Sequence, residues 1–143
     1  MNEDPITDRS AGSEGAGALI YIIDDEPMLL DLASRVLEAE GYQVKTYRDP
    51  SEALLAFRRA RQRPALILTD YQMQSMNGLE LTAACRRLNP CQRVILVSGT
   101  VNTETCGESS DPDLPDRFLS KPYTAQSLNR LVREMLHDHP VRR

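Results

Sequence analysis

Short apolar runs alternate with longer stretches of helical periodicity along most of the chain. The runs are ALIYII (18–23), YQVKTY (42–47), ALILT (65–69), RVILVS (93–98) and DRFLS (116–120). Such short runs, rich in Leu and β-branched residues and bounded by polar segments, are typical of strands. The runs at 65–69 and 93–98 are apolar on both faces, which predicts that they are central strands of a sheet.

Four of the intervening or following segments carry the apolar spacing of amphipathic helices. The first begins at Pro27 and ends at Gly41, and the second begins at the cap residue Asp49. The third follows Asn77, and the last follows Thr124, which is a good N-cap. Strands that alternate with helices predict a parallel sheet covered on both faces and built from right-handed βαβ units.

The position of a fourth helix in this alternation, residues 101–115, differs from the other helical segments. It has no apolar stripe and is interrupted by Gly107, Pro112 and Pro115. We therefore expect a helix there that is short or degraded.

The chain of 143 residues has the size of one ordinary domain. Residues 1–17 are rich in Gly, Ser and Glu and are predicted to form a disordered tail. We expect one domain over residues 18–138 and a short C-terminal tail over residues 139–143.

Composition excludes several classes of function. No apolar run approaches the roughly 20 residues of a membrane span, and the polar N-terminus lacks the apolar segment of a secretory signal. Three cysteines without metal-ligand spacing indicate free thiols in a reducing compartment. We therefore expect a cytoplasmic protein. A formal net charge of −4 gives no electrostatic reason to expect binding to nucleic acid.

Charged and polar side chains follow the predicted strands, and ligands of open parallel sheets bind beyond the carboxyl ends of the strands. These residues are Asp24, Asp25, Asp70, Ser98 and Lys121. Crowded carboxylates repel each other unless a cation lies among them, and Mg²⁺ suits oxygen ligands of this kind. A carboxylate in such a site can act as a nucleophile and form an aspartyl phosphate. Lys121 and the hydroxyl of Ser98 would then stabilise the transferred group.

Each of these residues also has a simpler interpretation. Acidic residues after a strand often only begin a helix, where they suit the dipole, and Asp70 alone fits a turn. The functional interpretation depends on all of them falling at strand ends in one order.

Four motifs together resemble the response-regulator receiver domains of two-component signalling. They are IIDDEP (22–27), LTDYQMQSMNGLEL (68–81), VILVSG (94–99) and FLSKPY (118–123). The resemblance covers roughly residues 18–138. With the strand pattern, it predicts an α/β fold: a doubly wound, five-stranded parallel sheet in the flavodoxin-like order 2-1-3-4-5.

The resemblance implies a metal site and a phosphorylated residue. Asp70 matches the phosphorylated aspartate, which also lies at the Mg²⁺ site. Asp25 matches the carboxylate that ligates Mg²⁺ directly, and Asp24 matches the neighbour that usually holds the ion through water. Gln72 matches the position whose main-chain carbonyl completes the metal site.

The remaining matches concern the response to phosphorylation. Ser98 and Lys121 match the hydroxyl and the lysine that contact the phosphoryl group. Phe118 matches the aromatic switch position, and the peptide bond before Pro122 is typically cis in the family.

The loop after Asp70 departs from the family pattern. Where the family often has Met-Pro, this chain has Met73 and Gln74, and Asn77 stands where the family often has Asp before Gly. We expect the missing proline to loosen the loop without removing a ligand.

The chain is therefore predicted to be a phosphoacceptor of a two-component phosphorelay and not an enzyme that converts a separate substrate. Its expected partners are a histidine kinase or phosphotransfer protein and an unknown downstream protein. Two alternatives stay open at this point, a Mg²⁺-dependent phosphohydrolase of the haloacid-dehalogenase type and a receiver-like module that no longer switches. The acidic triplet after the first strand does not match the D-x-D motif of the hydrolases. A flavin carrier is disfavoured, because no Ser/Thr/Gly-rich phosphate loop follows the first strand.

Overall fold

The structure is a computed structural model that describes residues 17–99 and 114–138. The tails predicted at 1–17 and 139–143 and the helix position 101–115 therefore lie outside the described residues, apart from Gly17, Leu114 and Pro115. The elements are β1 Leu19–Ile23, α1 Pro27–Ala39, β2 Gln43–Tyr47, α2 Pro50–Arg59, β3 Leu66–Asp70, α3 Gly78–Leu88, β4 Arg93–Ser98, β5 Arg117–Ser120, α4 Ala125–Arg133 and a final π-helical turn Glu134–Asp138.

The five strands form one sheet in the order β2-β1-β3-β4-β5, and every neighbouring pair is parallel. This confirms the predicted doubly wound sheet and its order 2-1-3-4-5. The predicted central position of the apolar runs is also confirmed, because β3 and β4 lie inside the sheet. Strand β2 lies at an edge, where Gln43, Lys45 and Thr46 are exposed.

Helices cover both faces of the sheet, as predicted, and each face has its own apolar core. On one face, Ile20 and Leu68 pack with Leu37 of α1 and Leu128 of α4. Side chains alternate between the faces along a strand, so the neighbouring strand positions point to the opposite side. On that second face, Tyr21 of β1 and Ile67 of β3 pack with Phe57 of α2 and Leu81 of α3.

Capping side chains fix the starts of three helices next to the carboxyl ends of the strands. Asp49 accepts a hydrogen bond from the Ser51 amide at 2.9 Å and caps α2, as the sequence predicts. Asn77 and Glu80 form a reciprocal capping box at α3. Thr124 caps α4 by accepting a hydrogen bond from the Ser127 amide at 3.0 Å. The loops between strand ends and helix starts are therefore anchored on their helical side.

Candidate functional site

Three carboxylates meet at the carboxyl end of the sheet because β1 and β3 are direct neighbours. Their register pairs Ile23 with Thr69, so Asp24, which follows β1, comes beside Asp70, the last residue of β3. Asp24, Asp25 and Asp70 each offer a carboxylate oxygen, and these oxygens lie within 4.8 Å of one another. Asp24 and Asp70 are only 5% and 7% exposed, whereas Asp25 is half-buried.

Lys121 brings the opposite charge to the same place. Its Nζ atom lies 3.0 Å from Oδ1 of Asp70 and 3.7 Å from Oδ2 of Asp24. The main-chain N–H of Lys121 donates to the carbonyl of Ser98 at 2.9 Å, so the residue after β5 is held at the end of β4. The peptide bond between Lys121 and Pro122 is cis.

Burial makes the negative charge on Asp24 costly. It raises the pKa of this carboxyl above its ordinary value, and the carboxylates of Asp70 and Asp25 raise it further. The Glu26 amide, which donates to Oδ1 of Asp24 at 2.9 Å, and the ammonium of Lys121 oppose this change without cancelling it. A cation in the site would therefore stabilise the Asp24 carboxylate.

The ammonium of Lys121 is stabilised where it lies. Burial alone lowers the pKa of Lys121, but the hydrogen bond to Asp70 and the carboxylates of Asp24 and Asp70 outweigh it, so the pKa is raised.

Tyr123 faces the same negative charge. Burial, with Asp24 and Asp70, raises the pKa of its phenol to about 12, so the hydroxyl stays protonated. Tyr123 was not predicted as a site residue, although its place directly after Lys121-Pro122 was a usable signal.

The remaining predicted residues lie near the strand ends or in β5. Ser98 is the last residue of β4 and is buried, and Gln72 lies in the loop after β3 with an exposed side chain. Phe118 lies in β5, half-buried. With Leu119 and Leu131 it lines a groove of about 420 Å³ between β5 and α4.

The donor set fits a hard divalent cation. Carboxylate oxygens are the ligands that Mg²⁺ prefers, and it usually takes only one or two from the protein while it keeps several waters. The three carboxylates are crowded, because their oxygens lie within 4.8 Å of one another, and Asp24 and Asp70 are buried. A cation relieves both effects.

The comparison with protein families decides the identity of the fold. The sequence model of the response regulator receiver domain matches residues 20–133, which is most of the chain. The chain belongs to this family. As a receiver domain of the two-component response regulators, it is a signalling protein.

Similar proteins agree with this assignment. The receiver domain is 36% identical over 126 residues to the nitrogen assimilation regulatory protein NtrX of Azorhizobium caulinodans, covering 87% of this chain and 27% of NtrX. It is 32% identical over 130 residues to hybrid signal transduction histidine kinase C of Dictyostelium discoideum, covering 85% of this chain and 10% of that protein. The chain therefore spans about a quarter or less of these two relatives.

A solved receiver domain from Methanospirillum hungatei, described as CheY-like, superposes with a TM-score of 0.73. It is 27% identical, and the match covers 85% of this chain and 94% of that chain.

Among the described residues of this receiver domain, no helix has the length and apolar character needed to cross a membrane.

Proposed function

We propose that this receiver domain accepts a phosphoryl group on Asp70 in a Mg²⁺-dependent reaction. The donor would be the phosphohistidine of a histidine kinase or of a phosphotransfer protein. The observation that carries the proposal is the place of Asp70, whose carboxylate lies among two further carboxylates and 3.0 Å from the Lys121 ammonium. A nucleophile, a cation site and a fixed positive charge are the parts that phosphoryl transfer needs.

Four residues would hold the metal: Asp24, Asp25, Asp70 and Gln72, the last through its main-chain carbonyl. Bound there, Mg²⁺ supplies charge neutralisation for the oxygens of the phosphoryl group. The protein's own part is to position Asp70. Its buried strand end fixes the direction of the carboxylate, and Lys121 holds one of its two oxygens.

In the transfer, a carboxylate oxygen of Asp70 attacks the phosphorus atom. The phosphorus–nitrogen bond of the phosphohistidine breaks, and the imidazole leaves with the bonding electron pair. The Lys121 ammonium is already beside Asp70 and moves onto the new phosphoryl oxygens, and the hydroxyl of Ser98 turns toward the same group. The negative charge that arrives is thus met by groups that the fold has already brought to this edge of the sheet.

The signal would leave the domain as a change of shape. Movement of Ser98 toward the phosphoryl group frees space into which Phe118 turns, and a downstream protein binds the altered surface. We infer a cytoplasmic protein that signals through protein contacts, without direct binding to nucleic acid.

Incubation with acetyl phosphate and Mg²⁺, followed by measurement of the intact mass, tests the proposal. We expect a gain of one phosphoryl group. This mass gain should not occur when the metal is chelated before acetyl phosphate is added, and it should not occur in Asp70→Asn. Asp31→Asn is the matched control, because Asp31 is an exposed aspartate of α1 that pairs with Arg35 at 3.0 Å. Continuous release of phosphate from added esters would indicate a hydrolase, and no mass gain at all would indicate an inert module.

The solved structure of the response regulator TrrA from Thermotoga maritima is a complex with Mg²⁺-BeF. It shares the fold of this chain with a TM-score of 0.72 at 24% identity, covering 83% of this chain and 99% of TrrA. Beryllofluoride is therefore a suitable second probe. We expect it to bind this protein only in the presence of Mg²⁺ and to be excluded by Asp70→Asn.

A further inference from the structure

The loop of residues 71–77, between β3 and α3, is fastened at both ends by main-chain hydrogen bonds. The Tyr71 amide donates to the carbonyl of Val97 at 2.8 Å, and the Gly78 amide donates to the carbonyl of Tyr71 at 2.8 Å. Gln72 lies within this loop, so the direction of its carbonyl depends on how the rest of the loop is held.

The middle of the loop is attached to a different part of the chain. The hydroxyl of Ser75 donates to Oδ1 of Asp49 at 3.1 Å. The same oxygen accepts the Ser51 amide at 2.9 Å, which makes Asp49 the cap of α2. Helix α2 is itself fixed, since Ala53 and Phe57 are buried in the core. The acceptor Asp49 is therefore held in place by a helix that is packed in the core. We call the Ser75–Asp49 hydrogen bond the clasp.

The clasp borders the acidic site. A cavity of about 160 Å³ is lined by Asp25, Arg48, Asp49, Pro50, Gln74 and Ser75. Asp25 is one of the three clustered carboxylates, so a residue of the candidate metal site lines the same cavity as both residues of the clasp. A shift of the loop at Ser75 would change the space beside Asp25 as well as the position of Gln72.

We propose that Ser75 is a positioning residue for the metal site, acting through the clasp. The loop has Gln74 instead of a proline, so the chain lacks the covalent restraint that a fixed φ provides. The clasp supplies a restraint in its place by holding the loop against the start of α2. The inference rests on the proposed function, because it assumes that the main chain at Gln72 completes a Mg²⁺ site.

Three serine variants test the clasp by calorimetric titration with Mg²⁺ and by hydrogen exchange of the metal-free protein. Ser75→Ala removes the donor, whereas Ser75→Thr keeps a hydroxyl and should restore the parental behaviour. Ser34→Ala is the matched control, because Ser34 lies in α1 and takes no part in the clasp, whereas the Ser51 hydroxyl lies 3.4 Å from that of Ser75 and is unsuitable. We expect Ser75→Ala to bind Mg²⁺ about two- to fivefold more weakly, as suits one exposed hydrogen bond. Its amides within 71–77 should exchange faster, with the core amides unchanged.

Asp49→Asn separates geometry from charge. Its amide oxygen still accepts both hydrogen bonds, so it should keep the parental Mg²⁺ affinity. A loss of affinity in Asp49→Asn without a loss in Ser75→Ala would assign the effect to charge and overturn the inference. Parental affinity and parental exchange in Ser75→Ala would also overturn it while the proposed function stands. A parent protein that binds no Mg²⁺ would overturn both.

Discussion

Gly78 lies against the main chain of Asp70 so closely that no side chain fits between them. A Cβ atom on Gly78 would lie 2.6 Å from the carbonyl oxygen of Asp70 and 2.4 Å from Cδ1 of Leu96. The leucine methyl is the end of a flexible side chain, but the carbonyl is main chain and cannot move without carrying Asp70 with it. The first residue of α3 is thus matched to the end of β3.

Gly78→Ala should therefore disturb the site from outside it. We expect a loss of about 1–3 kcal/mol in the free energy of unfolding, as in other overpacked positions, together with slower phosphorylation by acetyl phosphate. Urea unfolding and the intact-mass assay measure the two effects. Gly99→Ala is the control for stability, because a Cβ there meets nothing within 4 Å. Equal stability of the two variants would contradict the prediction.

Asp24→Asn should make the metal-free protein more stable at neutral pH. Burial, with Asp70 and Asp25, raises the pKa of Asp24 above the ordinary value of 3.8. The folded state then binds this proton more tightly than the unfolded state does. The stability that this proton binding contributes is fully present at pH values below 3.8, and it is lost as the pH rises from 3.8 through the pKa of the folded state. Asp24→Asn should remove this loss, because the neutral amide resembles the protonated acid.

Urea unfolding between pH 3.5 and 7, with a chelator present, gives the pH profile of stability. The difference between Asp24→Asn and the parent should grow with pH across this window. Asp31→Asn, on the surface of α1, is the control for the loss of one negative charge. A variant that is less stable than the parent at pH 7 would show that the ion pair with Lys121 outweighs burial.

Lys121→Met should separate metal binding from phosphorylation. The ammonium lies 3.0 Å from one carboxylate of the cluster and 3.7 Å from another, so it repels a divalent cation placed among them. Without it we expect Mg²⁺ affinity to rise about tenfold by Coulomb's law in a partly buried site. Phosphorylation should nevertheless slow, because the transferred group loses a positive partner.

Calorimetry and the intact-mass assay follow the two properties of Lys121→Met. Lys45→Met is the matched control, since Lys45 is an exposed lysine on the edge strand β2. The interpretation fails if Lys121→Met weakens Mg²⁺ binding.

A buried ion pair anchors the start of β5. Nη2 of Arg86 lies 2.9 Å from Oδ2 of Asp116, and these side chains are only 5% and 9% exposed. Arg86 also donates to the carbonyls of Gln92 and Leu114, and Oδ2 of Asp116 accepts the Val94 amide at 2.8 Å. One arginine of α3 thus joins α3, β4 and the chain that enters β5.

We expect Arg86→Met to lower the free energy of unfolding by about 3–5 kcal/mol, because it removes the countercharge of a buried carboxylate. Urea denaturation measures the loss. Arg87→Met is the control, since Arg87 is the exposed neighbour in the same helical turn, and a surface change of this kind costs about 0.5 kcal/mol or less. Similar losses in both variants would show that the ion pair has no special weight.

The strands and the meeting of charged residues at their carboxyl ends could be predicted from the sequence for a physical reason. Apolar runs such as 65–69 and 93–98 can only be buried in the middle of a sheet, and parallel strands bring their carboxyl ends to one edge. Residues at or directly after the strand ends, such as Asp24, Asp70 and Lys121, are then brought together. The predicted position of each strand was accurate to about one residue, although Asp70 lies inside β3 instead of after it.

Contacts between segments that are distant in the sequence could not be predicted in this way. Nothing in the spacing of Ser75 and Asp49, or of Arg86 and Asp116, marks them as partners. The first contact depends on how the loop after β3 lies against the start of α2, and the second on how α3 lies against the chain that enters β5. The burial that raises the pKa of Asp24 was also not predictable, because it depends on the depth of this residue at the end of the sheet, which a sequence pattern does not contain.

The order β2-β1-β3-β4-β5 has a consequence for folding as well as for chemistry. Asp24, Asp70 and Lys121 are contributed by three different strand ends, and in an unfolded chain whole βα units separate them. Closing those long loops costs conformational entropy, and the contacts that form in the sheet offset this cost. The three charges therefore come together only in the complete fold. A cation that binds the carboxylates of Asp24 and Asp70 together therefore has almost no affinity for the unfolded ensemble. By linkage, such an ion at a concentration of 100 times its dissociation constant adds about 2.7 kcal/mol to the stability of the whole domain.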